Sequence, residues 1–167
     1  MPAGSPFLVP VDDLLRHQGR TRAVRIETPV DWSIEQFAVL PQPPLDADID
    51  LTAVPGGIVV RGQVEVVVRA TCGRCLRQWD EARVVDVNQL AETVDEGDDG
   101  YVLDGDLLDL EPILRDEVLL GLPLLARCDP PCSQLGEGAE TRLNAAAPEA
   151  RSHTPFAALQ DLFDTGD

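Results

Sequence analysis

The chain has 167 residues, 44% of them hydrophobic, which suits one domain with flexible ends and argues against wholesale disorder. Aromatic residues make up only 4%, so the core is expected to be built from Val, Leu, Ile and Ala. A formal net charge of −17, from 30 acidic and 13 basic residues, repels phosphate backbones and attracts basic proteins, and so disfavours nucleic-acid binding across a broad face.

Met1 to Pro10 carries no basic leader pattern, and Pro2, Pro6 and Pro10 interrupt its apolar residues. No apolar run approaches the ~20 residues that span a bilayer. The expectation is therefore a chain without a signal peptide, working in a reducing cytoplasm. Val11–Arg16 reads as a short helix. Arg16, Arg20, Arg22 and Arg25 then form a basic island with no acid between Leu14 and Ile26. Four arginines of this kind read as ordinary surface or as a local RNA contact.

Thr21–Thr28 reads as a strand. In Asp46–Thr52, Ala47, Ile49 and Leu51 alternate with Asp46, Asp48 and Asp50, the period of a half-buried strand. Pro55-Gly56-Gly57 supplies a turn, and Ile58–Thr71 continues as a long strand. Its even positions, Val64, Val66, Val68 and Ala70, share a face that runs on to Cys72. Gly73 to Gln78 turns the chain back into a third, less regular strand at Trp79–Ala91. Connections this short predict an antiparallel meander. Between Val84 and Leu114 there are ten acids and no base, and Asp95 to Gly100 reads as an exposed acidic loop. Leu110–Leu120 is the best helix: Asp109 can cap it, Pro112 fits its first turn, and Gly121 and Pro123 end it. The Ala-, Glu- and Gly-rich stretch 137–154 reads as a flexible linker, and 155–167 as a tail with a short helix at Phe156–Phe163. The expected architecture is α+β: an antiparallel sheet, curled toward a barrel, with one main packed helix over 1–136 and a mobile C-terminal region.

The cysteines come as two close pairs, Cys72-Gly-Arg-Cys75 and Cys128-Asp-Pro-Pro-Cys132. Zinc favours four thiolates in a tetrahedron, and a pair on a tight turn presents two together, so Cys72, Cys75, Cys128 and Cys132 are the candidate ligands of a structural Zn2+. Other readings stay open: a redox pair, a structural disulfide, or four reduced thiols without metal. A thioredoxin-like centre needs its first cysteine to open a helix after a strand. Here the chain returns into a strand. Phosphate loops, nucleophile elbows and paired-histidine metalloprotease signatures are missing from the sequence, so an enzyme is not expected.

The order of these features resembles the YceD-like proteins, a family associated with accumulation of large-subunit ribosomal RNA. The residues that carry the likeness are Ala70-Thr-Cys72-Gly-Arg-Cys75-Leu76 after a valine-rich strand, an acidic interval, and Asp109-Leu110. They continue with Arg115-Asp-Glu117-Val-Leu-Leu120-Gly-Leu-Pro123, the pair Cys128 and Cys132, and the ending Pro155-Phe156-Ala-Ala-Leu159. Many relatives continue with further cysteines in the second region, where this chain has Ser133-Gln-Leu-Gly136 and Arg142-Leu-Asn144. The resemblance implies a non-catalytic accessory factor for large ribosomal subunit biogenesis and 23S rRNA accumulation. The charge makes a basic ribosomal protein or assembly factor the expected partner. A thiol-disulfide or metal-handling protein centred on Cys72 and Cys75 is the alternative.

Overall fold

A computed structural model describes residues 5–93, 100–129 and 132. Apart from Cys132 these fall in one compact unit, Met1–Pro130. The core of the acidic loop (Asp95, Glu96, Asp98 and Asp99), the expected linker 137–154 and the tail 155–167 lie outside the described residues.

The chain order is β1 (Leu8–Pro10), α1 (Asp12–Leu15), β2 (Thr21–Thr28), β3 (Ser33–Ile34), β4 (Phe37–Val39) and β5 (Leu45–Val54). There follow β6 (Gly57–Thr71), β7 (Gln78–Glu92), β8 (Tyr101–Val102), β9 (Leu107–Asp109) and α2 (Glu111–Leu120). β6 is the axis of the sheet. Along one edge β7 pairs with it over its whole length, Gly57↔Glu92 to Thr71↔Gln78. Along the other edge β5 pairs with its first part, up to Asp46↔Glu65, and β4 with Val68, Arg69 and Ala70. β2 closes on the far side of β5, and every one of these pairs is antiparallel.

Two expectations need correcting. The sheet does not curl into a closed barrel: among the described residues β2 pairs only with β5, and β8 only with β7. β8 is two residues long and runs parallel to β7, so it offers no ladder on which β2 could close. Nor is the order a plain meander. A hairpin of β3 and β4 is inserted between β2 and β5, and β1 with β9 forms a separate two-stranded sheet.

The alternation seen in the sequence is what fills the core. Leu45, Ala47, Ile49, Leu51 and Ala53 of β5 are buried, as are Ile58, Val60, Val64, Val66, Val68 and Ala70 of β6. α2, the longer of the two described helices, adds Ile113, Leu114 and Val118, with Leu110 just before it. Its N-cap is Leu110, and the carboxylate of Asp109, one residue before, accepts the Glu111 N–H at 2.9 Å. At Gly62 a Cβ would stand 2.0 Å from the Asp48 carbonyl oxygen, so the approach of β5 to β6 at that point requires glycine.

Candidate metal centre

The even face of β6 is buried from Val64 to Ala70, and the next even position, Cys72, is buried too. The chain then turns in five residues. The Cys72 N–H donates to the Arg77 carbonyl at 2.9 Å and the Leu76 N–H to the Cys72 carbonyl at 3.0 Å. Leu76 takes the left-handed conformation, φ 61°, and is exposed. The turn folds the Arg74 N–H back toward Cys72 Sγ, at 3.4 Å. Cys72 thus ends a strand and enters a turn, which lacks the helix that a thioredoxin-like centre would use to activate it.

The second pair arrives on the segment after α2. Gln36, in the turn of the β3–β4 hairpin, anchors that segment: its Oε1 accepts the Ala126 N–H at 2.8 Å. The Ala126 carbonyl accepts the Gly73 N–H at 3.0 Å. Ala126 packs with Phe37 and Ala70 in a small cluster of its own, with Trp79 and Leu122 against it. Nothing in the sequence marked Gln36, because its role depends on a hairpin too short to leave a period.

These anchors bring the predicted cysteines together. Cys75 Sγ and Cys128 Sγ lie 3.4 Å apart, although 53 positions separate them. The sulfurs of Cys72, Cys75, Cys128 and Cys132 all lie within 4.8 Å of one another. None is bonded to another. At Zn–S ≈ 2.3 Å a tetrahedron has sulfur–sulfur edges of roughly 3.8 Å, so this donor set has the number, chemistry and spacing that a closed tetrahedral site needs.

The protons are unevenly held. The Cys75 and Arg74 amides, both directed at Cys72, hold its thiol down to about 6. Cys128 is pushed up to about 12, first by its hydrogen bond with Cys75 and then by burial. A thiol held down at Cys72 and one pushed up at Cys128 fit the repulsion between two thiolates brought this close. A dication reverses the balance by stabilising every thiolate it touches.

The basic island is not free to meet a polyanion. Arg16 pairs with Asp12 at 3.3 Å, Arg20 and Arg22 reach Asp13 at 4.0 and 2.9 Å, and Arg25 pairs with Asp46 at 2.6 Å. α1 and β5 bring acids from either side of the island, which its local run of sequence conceals.

A family model, that of the large ribosomal RNA subunit accumulation protein YceD, matches residues 60–163. The chain belongs to the YceD family. The matched range begins inside β6 and takes in both cysteine pairs, β7 and α2, while β1 to β5 precede it. No curated protein and no solved structure matches the chain. Among the described residues no helix is long and apolar enough to cross a membrane.

Proposed function

We propose that this YceD-family protein is a non-catalytic accessory factor for large ribosomal subunit biogenesis, supporting 23S rRNA accumulation in the cytoplasm. The observation that carries this reading is the family match over residues 60–163. The chemistry of the chain supplies a route. With 30 acids against 13 arginines, and most described arginines already tied to acids, the surplus surface charge suits a basic ribosomal protein or assembly factor. The four cysteines hold a structural Zn2+ that fastens the β6–β7 turn to the segment after α2. Four thiolates fill a tetrahedron and leave no open position for a substrate, in keeping with a structural role.

The test is a depletion strain in which large- and small-subunit RNA are quantified and ribosomal profiles recorded. Large-subunit RNA should fall relative to small-subunit RNA, and unchanged ratios would remove the ribosomal reading. A rescue with Asp95, Glu96, Asp98 and Asp99 neutralised separates the route from the role. Full rescue by that variant would exclude the acidic loop as the place where the partner is held.

A further inference from the structure

The 30 acids of this chain outnumber its 13 arginines, and the described arginines are almost all engaged. Arg16, Arg20, Arg22, Arg25, Arg69, Arg83 and Arg115 are in ion pairs, and Arg61 donates to Asn88 at 2.8 Å. Arg74 is engaged as well. Among the described residues this leaves Arg77 and Arg127 as the arginines whose guanidinium groups have no partner, and both are exposed. They line the same groove.

That groove lies between the start of β7 and the segment after α2. Trp79, Glu81 and Arg83 stand at alternate positions of β7 and so point to one side of the strand, with Arg77 in the turn just before it. Pro123 and Leu125 form part of the facing wall, and Phe37 the floor beside Trp79. Two carboxylates also reach the groove. Glu81 is occupied by Arg83 at 2.6 Å, which leaves Asp129 against the two unpartnered guanidinium groups. Among the described side chains that line the groove the balance is therefore positive, Arg77 and Arg127 against Asp129, on a molecule whose total is −17. At physiological salt the screening length is ~8 Å, so a ligand seated here responds to these two charges more than to distant acids.

We propose that this groove is a contact site for single-stranded RNA, with Arg77 and Arg127 holding phosphates and Trp79 offering its ring to a base. The pairing of unpartnered cations with a half-buried aromatic surface decides the class of ligand. A duplex keeps its bases stacked on one another and could use only the arginines. The carboxylates of an acidic peptide would satisfy the arginines but offer no flat group to the indole. An unpaired base uses both. The groove measures about 460 Å³, within the ~300–1,000 Å³ of sites that enclose a small molecule, and so takes one nucleotide rather than a folded element. The inference stands on the groove alone and needs neither the metal nor the basic partner proposed above.

The chain has two tryptophans, and Trp32 is buried against Phe7 with ring centroids 6.0 Å apart, which makes Trp79 the reporter in the groove. The experiment titrates the purified full chain with a six-nucleotide oligouridine, reading tryptophan emission in wild type and in Trp32→Phe. Anisotropy of a labelled oligomer with the wild-type chain gives an independent measure. Saturable quenching of Trp79 is expected, with log K falling against log salt at a slope of about −1.4, that of two phosphate contacts on a single strand. Arg77→Gln with Arg127→Gln should bind about tenfold or more weakly, because each loses a charge-assisted hydrogen bond. Arg115→Gln, already paired with Asp116, should bind as wild type does. Both substituted side chains are exposed, so the double variant keeps its fold, checked by circular dichroism. Absence of binding by both readouts, equal binding by the double variant, or equal competition by oligoglutamate would overturn the proposal. The last outcome would reassign the groove to an acidic peptide. Depletion and RNA accounting remain a separate test, so failure here would leave the ribosomal role standing.

Discussion

Removing the proposed zinc should release one segment and spare the rest of the domain. Residues 122–129 are fastened by few direct contacts. Ala126 makes two hydrogen bonds, to Gln36 and Gly73, worth about 1 kcal/mol each. Burial of the Ala126 methyl and of part of Leu122 adds roughly 2 kcal/mol. Leu124 is 96% exposed and Leu125 56%, so neither contributes appreciably. Ordering costs ~1–2 kcal/mol per residue, or roughly 8–16 kcal/mol for the segment, so about 4–12 kcal/mol must come from elsewhere. Thiolate ligation of a structural zinc, with apparent values of ~10–16 kcal/mol, covers that difference to within a few kcal/mol. The main core is a separate cluster built on β5, β6 and α2 and contains none of Phe37, Ala70 or Ala126. Native-state hydrogen exchange before and after chelation should therefore show the amides of Ala126 and Gly73 losing protection. The β5–β6 ladder should keep its own. Cys128→Ala should reproduce the pattern without a chelator. Purified protein without metal would refute the reasoning. So would equal protection of these two amides after chelation, or melting of the whole domain together with that segment.

Metal affinity should depend on pH in a direction set by the two shifted thiols. Between about pH 6 and 12 Cys72 has lost its proton and Cys128 keeps one, so uptake expels at least the Cys128 proton. Affinity should rise by about tenfold or more per pH unit between pH 6 and 8, and fall more steeply below 6, where Cys72 must also deprotonate. Competition with a chelator of known pH dependence measures this, and a flat profile would contradict it. Gly62→Ala should cost about 1–3 kcal/mol, because the methyl meets the Asp48 carbonyl of a neighbouring strand that cannot swing aside. A denaturant midpoint within error of wild type would show that β5 yields there.

The long strands were legible because one face of each is buried. β5 and β6 begin and end within a few residues of the expected spans, and Asp109, Pro112 and Gly121 mark α2 on chemical grounds that survive folding. β7 was legible as a strand but not in its pattern. From Gln78 to Asp86 its inner positions are only half covered and the first buried residue is Val87, so Glu81 and Arg83 are tolerated where an apolar residue would otherwise stand. The β3–β4 hairpin and the β1–β9 pair were not legible, since strands of two or three residues carry no period. The cysteine pairs announced themselves by spacing. Their meeting across 53 positions was expected from the four-ligand reading, but the anchor that achieves it, Gln36, was not legible, because it sits in a hairpin too short to leave a period.

The split of the cluster between two distant pairs has a consequence for biosynthesis. Cys72 and Cys75 sit at the tip of a hairpin whose strands are contiguous in sequence, so this half can form as soon as β7 has left the ribosome. Cys128 reaches it only after β8, β9 and α2 have been made and α2 has docked, with Gln36 already in place to receive Ala126. A nascent chain arrested or misfolded before α2 presents half a site, which two thiols fill poorly. Closure of the four-sulfur cluster is therefore a late event, and a chain that has achieved it has already built its sheet and seated its helix.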